Sequence, residues 1–177
     1  MNSDLVTRVR QQLRAIPDYP KPGIIFQDIT PILADGGLFG AVIDAMVAPY
    51  RDTGVTHILG IEARGFIFGA AAAHALGVGF IPARKPGKLP WERVQESYDL
   101  EYGTDALEAH RDACPGGTRV LVVDDVLATG GTAQAAGRLV RALGGELIGW
   151  SFLIELGFLP GRAKLEGAPA CAILRLD

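Results

Sequence analysis

Two adjacent carboxylates followed by a Thr-Gly-Gly-Thr turn are the residues of this sequence best suited to chemistry. An apolar run at 120–123 leads directly into Asp124 and Asp125, and the turn at 129–132 opens a helical pattern. Backbone N–H groups in a glycine-rich turn at a helix N-terminus bind an anion well. Neighbouring carboxylates are unfavourable unless hydroxyl groups or a hydrated cation lie beside them. The segment predicts a phosphate site next to sugar hydroxyls or a metal, and a plain capped turn is the alternative.

A second strand-to-helix junction carries an arginine. Arg64 offers a planar guanidinium that suits an anion with several oxygens, and Gly65 gives a ligand access to the backbone. Taken alone, Arg64 favours a surface salt bridge with Glu62. Beside a predicted phosphate site, however, a second anion site indicates that the ligand is a pyrophosphate.

Alternating helical and strand patterns must position these residues. Helical spacing of apolar residues predicts helices at 3–16, 38–51, 66–76 and 133–143. Continuous apolar runs predict buried strands at 57–61, 78–83, 119–123, 148–156 and 171–176. This order is typical of an α/β fold with a parallel sheet covered on both faces, in which ligands bind at the carboxyl ends of the strands. Residues 86–110 show no such pattern and are predicted to form a long polar loop, which in a compact domain is usually functional or mobile.

Composition narrows the class of protein. The chain has 177 residues, is 49% hydrophobic and carries a formal charge of −3, which predicts one globular domain without a broad nucleic-acid surface. The uncharged stretch 65–83 is interpreted as a buried helix and strand, not a membrane span. With no signal-peptide pattern, and with two cysteines too far apart to suggest a metal site or a disulfide framework, we expect a cytoplasmic protein. We interpret His57, His74 and His110 as structural.

The segment 120–132 resembles the 5-phosphoribosyl 1-pyrophosphate (PRPP) motif of the type I phosphoribosyltransferases. Three further regions are similar to those of the adenine phosphoribosyltransferases of that family: 22–30, 61–66, and the polar loop with its bounding segments 84–90 and 98–104. The resemblance implies a single domain over 1–177, with a central, mostly parallel sheet flanked by helices. It also implies a small N-terminal helix and base-binding hood in 1–35, and a flexible catalytic loop at 86–104.

The resemblance also implies a reaction and its ligands. Adenine and PRPP would give AMP and pyrophosphate, with Mg²⁺ held through substrate oxygens and water, and Asp124 or Asp125 as candidate direct ligands. It implies a homodimer, without a nucleic-acid or membrane partner. Gln27 stands where the family usually has arginine, so hypoxanthine, guanine or xanthine stays an alternative base. Two non-catalytic functions also stay open: a transcriptional regulator that binds PRPP, and a generic nucleotide-binding module.

The roles of individual residues follow from the same resemblance. Glu101, with Tyr102 beside it, would assist proton transfer at the base, and Arg64, Asp124 and Asp125 would also be catalytic. The residues implied to bind substrate are Ile25, Phe26, Asp28, Ala63, Arg64, Arg84, Lys85, Lys88, Asp124, Asp125, Ala128, Thr129, Gly130, Gly131 and Thr132.

Overall fold

The computed structural model describes residues 3–99 and 103–177. Its helices are α1 (Ser3–Gln12), α2 (Thr30–Ala34), α3 (Gly36–Val47), α4 (Gly65–Leu76) and α5 (Gly131–Ala142). Its strands are β1 (Arg14–Pro17), β2 (Ile25–Asp28), β3 (His57–Ile61), β4 (Gly79–Ala83), β5 (Arg93–Asp99), β6 (Thr104–His110), β7 (Arg119–Leu127), β8 (Glu146–Leu156) and β9 (Ala170–Leu176). Short 3-10 turns cover Ala48–Tyr50 and Pro160–Lys164.

A five-stranded sheet in the order β4-β3-β7-β8-β9 forms the centre, and every neighbouring pair in it is parallel. Alternate side chains of β7 enter the two hydrophobic clusters on opposite faces. Val120 and Val122 pack on the side of α5, whereas Leu121 and Val123 pack on the side of α1, α3 and α4. Both faces are therefore covered, and the predicted α/β class with its parallel sheet is confirmed.

The segment 86–110 differs from its predicted loop. β5 and β6 pair antiparallel from Arg93 opposite His110 to Asp99 opposite Thr104. The prediction failed because a polar residue is buried in this hairpin: Glu108 is 1% exposed, and the Arg93 guanidinium lies 2.9 Å from its carboxylate. Leu107 and Ala109 are also buried. The mobility of the 86–104 segment stays a prediction.

The N-terminal segment also differs in part. The helix predicted over 3–16 ends at Gln12, because Arg14–Pro17 pairs antiparallel with Ile25–Asp28 and places Ile16 opposite Phe26. The other predicted helices and strands are present with shifted ends; most notably, β7 continues to Leu127. Within the described part of the chain, no helix has the length and apolarity needed to cross a membrane.

Candidate active site

A cleft of about 410 Å³ opens at the carboxyl ends of β3, β4, β7 and β8, beneath the β1–β2 hairpin. This is where an open parallel sheet binds its ligands. Residues from all four predicted motifs are found on its wall or beside it. The predicted site residues that line the cleft are Ile25, Phe26, Ala63, Arg64, Lys85, Asp124, Asp125, Ala128 and Thr132.

A smaller cavity of about 80 Å³ adjoins the cleft at the turn between β7 and α5. The two share Asp124, Val126, Ala128 and Thr132. Gly130 caps α5 with a φ of +79°, a left-handed conformation that side chains other than glycine rarely adopt. The predicted phosphate residues therefore lie together at a helix N-terminus, four of them on the cavity wall, with Gly131 as the first residue of α5: Ala128, Thr129, Gly130, Gly131 and Thr132.

Arg64 contacts the acidic pair, not Glu62. Its Nε lies 2.8 Å from Oδ2 of Asp125, and its guanidinium carbon lies 5.2 Å from the centroid of the Phe26 ring. The predicted alternative, a salt bridge from Arg64 to Glu62, is therefore wrong. The arginine bridges the hood and the carboxylates because the 61–66 junction brings it over the end of β7.

The two carboxylates have different environments. Burial raises the pKa of Asp124 well above its ordinary value, and the charge of Asp125 raises it further. The backbone N–H of Asp125, which donates to Oδ1 of Asp124 at 2.9 Å, opposes this rise. Oδ2 of Asp125 is buried and, among the described residues, accepts no hydrogen bond, since its contact with Arg64 is an ion pair without that geometry. Hydroxyl donors from a ligand would satisfy such oxygens.

The 61–66 junction is held close to the carboxylates by a glycine. A Cβ on Gly65 would lie 2.6 Å from Oδ1 of Asp124 and 3.0 Å from the carbonyl oxygen of Val123. The peptide bond between Glu62 and Ala63 is cis. Only a residue without a side chain fits at position 65 while the 61–66 junction and the acidic pair stay in contact.

Glu62 anchors this junction to the end of β4, a role that the sequence analysis missed. Its carboxylate accepts a 2.8 Å hydrogen bond from the backbone N–H of Lys85 and lies 3.3 Å from the Arg84 guanidinium. The Lys85 hydrogen bond, and then Arg84, lower the pKa of Glu62 against the effect of burial. The signal available in the sequence is a carboxylate two residues before Arg64, at the end of a predicted strand.

The three predicted cations after β4 have separate surroundings. Only Lys85 lines the cleft, and its ammonium group contacts the Tyr98 hydroxyl on β5 and the carboxylate of Asp105, which is opposite Tyr98 on β6. Burial disfavours its charged form, but these hydrogen bonds outweigh burial and raise the pKa of Lys85. Arg84 is engaged by Glu62, and Lys88 is exposed outside the cleft wall. The contact of Arg84 and Lys88 with pyrophosphate stays a prediction.

Asp28 has partners within the protein, and its predicted contact with substrate stays a prediction. Its two carboxylate oxygens accept hydrogen bonds of 2.9 Å from the backbone N–H and the hydroxyl of Thr30. The backbone hydrogen bond is the main reason for its lowered pKa. Asp28 lies outside the cleft wall, whereas its neighbour Gln27 is on it. Glu101 and Tyr102 lie outside the described residues, so their roles stay predictions.

Metal-ligand clusters are not found in the part of the chain that the structure describes: no three His, Cys, Asp or Glu side chains are grouped to hold an ion. Asp124 lines both the cleft and the cavity at the turn, and Asp125 lines the cleft. Any cation held there would need most of its ligands from substrate and water.

Comparison with known proteins agrees with this geometry. The family model described as phosphoribosyl transferase domain matches residues 31–162. The adenine phosphoribosyltransferase of Myxococcus xanthus (strain DK1622) is 60% identical over 164 residues, which are 93% of this chain and 89% of that protein. The chain belongs to the adenine phosphoribosyltransferases.

Solved structures of adenine phosphoribosyltransferases share the fold. The crystal structure from Rhodothermus marinus DSM 4252 matches with a TM-score of 0.94 at 49% identity, covering 99% of this chain and 100% of that one. The Saccharomyces cerevisiae structure, complexed with D-2,5-dideoxy-2,5-imino-altritol 1,6-bisphosphate and adenine, has a TM-score of 0.92 at 42% identity. It covers 97% of this chain and 99% of its own. The predicted type I phosphoribosyltransferase fold is confirmed.

Proposed function

We propose that this protein transfers the 5-phosphoribosyl group of PRPP to adenine, giving AMP and pyrophosphate in purine salvage. One observation carries the proposal: the cleft and its adjoining cavity bring together an aromatic hood, an acidic pair and a glycine-rich turn at a helix N-terminus. These three parts match a base, a ribose and a 5′-phosphate in the order in which a nucleotide carries them. The yeast relative, complexed with adenine and a bisphosphate, supports the same ligand classes.

The hood would bind the base. Phe26 is half-buried on the cleft wall, and its ring can stack on a purine face. The backbone of Ile25 would read the donor and acceptor edge of adenine. Its strand partner Pro17 has no N–H, so the Ile25 carbonyl accepts no hydrogen bond from that residue.

The acidic pair and the turn would hold the phosphoribosyl group. Asp124 and Asp125 would accept hydrogen bonds from the ribose hydroxyls, and the residues at 128–132 would donate to the 5′-phosphate. Breaking the anomeric bond develops positive charge on the ribose, as in glycoside hydrolysis, and nearby carboxylates stabilise that charge. Arg64 and Lys85 would stabilise the departing pyrophosphate. Positioning and charge, without a covalent enzyme intermediate, are what this cleft supplies.

The acidic pair also fits Mg²⁺ held mainly by the substrate. Carboxylate oxygens suit this cation, and it usually keeps several waters while binding substrate phosphates. Asp124 or Asp125 would hold it directly or through water. When bound, Mg²⁺ would neutralise part of the negative charge of the departing pyrophosphate.

The 86–104 segment would close over the cleft during the reaction. Lys85, at the cleft, contacts Tyr98 and Asp105 on the two strands of the hairpin, so closure and pyrophosphate binding share a side chain. A closed segment would exclude water, which competes with adenine for the ribose.

A direct assay tests the proposed function. The protein is incubated with Mg²⁺, PRPP and one purine at a time (adenine, hypoxanthine, guanine or xanthine), and the monophosphate is measured by chromatography. AMP from adenine is the expected product. If another monophosphate forms faster than AMP, the protein is specific for that other base. PRPP binding without any product would favour a regulatory protein.

Glu101→Gln is expected to lower kcat by about 10²- to 10⁴-fold, the usual contribution of a general acid or base, with little change in the KM for adenine or PRPP. Glutamine keeps the size of the side chain but removes the ionisable carboxyl group, so it can no longer act as a general acid or base. Steady-state kinetics measure both constants, with the exposed Glu92→Gln as the matched control. Turnover equal to that of the unmodified protein would remove the proton-transfer role.

We also infer a homodimer that covers the start of α4. Ile67 and Phe80 are 43% and 36% exposed, and Ile67 follows Arg64 by three residues. Light scattering is expected to give about twice the 18.7 kDa chain mass for the unmodified protein, and the chain mass for Ile67→Glu. A single-chain mass for the unmodified protein would contradict the dimer.

A further inference from the structure

A second glycine-containing segment packs against the backbone of the turn between β7 and α5. Gly161 lies in the 3-10 turn Pro160–Lys164, which follows β8, and it is buried. A Cβ on Gly161 would point directly onto the carbonyl oxygen of Ala128 and would lie 3.2 Å from the backbone N of Gly130. A Cβ on Gly130 would in turn lie 2.5 Å from the carbonyl oxygen of Gly161. The two backbones are therefore in direct contact, without room for a methyl group.

The 3-10 turn is itself held by an ion pair. Arg162, next to Gly161, donates from Nε to Oε1 of Glu155 at 2.8 Å and also contacts Oε2. A further guanidinium N–H donates to the carbonyl oxygen of Ala170 on β9 at 2.6 Å. Glu155 is 4% exposed near the end of β8. A planar, bidentate pair of this kind fixes orientation as well as distance.

These contacts form a connected path from the sheet to the phosphate turn. Glu155 forms an ion pair with Arg162, which fixes the position of the 3-10 turn. Gly161 in that turn is in close backbone contact with Ala128 and Gly130. Both of the latter belong to the turn assigned to the 5′-phosphate. The backbone N–H groups of that turn can act on an anion only if they point at it together.

We propose that Gly161 is a positioning residue for the 5′-phosphate turn, held in place by the Glu155–Arg162 pair. This inference rests on the proposed function, because it assumes that residues 128–132 bind the 5′-phosphate. A side chain at position 161 displaces Ala128 and Gly130. The backbone N–H groups of the displaced turn then no longer point together at the 5′-phosphate. Ligands that carry a 5′-phosphate lose affinity, whereas adenine, bound at the hood, does not.

Gly161→Ala tests the proposal, with Gly116→Ala as the matched control because nothing lies within 4 Å of a Cβ at position 116. We expect Gly161→Ala to raise the KM for PRPP and the Kd for AMP by about 10- to 100-fold, since a displacement of about 1 Å has effects of this size. The KM for adenine is expected to stay within about twofold. An unchanged KM for PRPP, or an equal loss for both substrates, would overturn the proposal.

Two variants of Arg162 keep the test decisive if Gly161→Ala does not fold. Arg162→Ala removes the ion pair but leaves the glycine, and is expected to raise the KM for PRPP. Arg162→Lys keeps a charge opposite Glu155 and is expected to recover part of that loss. An Arg162→Ala protein with the normal KM for PRPP would contradict the path. AMP formation by the unmodified protein is measured first, so that failure of the proposed function is recognised separately.

Discussion

Replacing Asp124 and Asp125 together by asparagine is expected to lower kcat/KM for PRPP by about a thousandfold or more, because single preorganised groups of this kind contribute about 10²- to 10³-fold. The double variant keeps the shape of both side chains but removes both negative charges. It can no longer stabilise positive charge on the ribose, and its amide groups place donors where ribose hydroxyls need acceptors. Initial rates of AMP formation at several PRPP concentrations measure the loss.

Thermal unfolding of Asp124→Asn provides the control for folding. Because the pKa of Asp124 is raised in the folded protein, its ionised form destabilises the fold once the pH lies above the ordinary carboxyl pKa. Asp124→Asn is therefore expected to have a higher Tm than the unmodified protein at neutral pH, with the difference shrinking as the pH falls towards that ordinary value. The exposed Asp44→Asn serves as the comparison. Normal turnover in the double variant would refute the role of the pair.

Gly65→Ala is expected to lower kcat/KM by about 10²-fold and to destabilise the fold by about 1–3 kcal/mol, the usual cost of inserting a methyl group into a well-packed region. The new Cβ would meet Oδ1 of Asp124 and the carbonyl oxygen of Val123, so the 61–66 junction must move away from β7. Arg64 would then lose its place between Asp125 and Phe26. Kinetics with PRPP and chemical denaturation measure the two effects.

Gly40→Ala is the matched control for that variant. Gly40 lies within α3, and nothing is within 4 Å of a Cβ built there. Alanine at this helical position is expected to leave the activity unchanged and to stabilise the fold by about 0.5–1 kcal/mol. If Gly65→Ala behaved like this control, close contact between the two loops would not matter for catalysis.

Local patterns were enough to predict the sheet and the glycine-rich turn before α5. The apolar runs at 57–61 and 119–123 indicate buried strands by their composition alone, without knowledge of which residues pack against them. The turn at 128–132 could be recognised because its glycines and its helix are adjacent in sequence. The β5–β6 hairpin could not be predicted in this way. Its polar side chains form ion pairs with residues distant in sequence; for example, Nε of Arg138 lies 3.0 Å from Oε2 of Glu96.

The sequence by itself determined the α/β class, the four motifs and the resemblance that connects them to one reaction. Only the tertiary structure decided which groups meet. It placed Arg64 on Asp125 and Arg84 on Glu62, and it brought Gly161 against a turn about thirty residues earlier. The physical reason is that motifs are local arrangements of backbone and residue type, whereas ion pairs and close backbone contacts depend on distances between elements. Those distances are set when the helices and strands pack together.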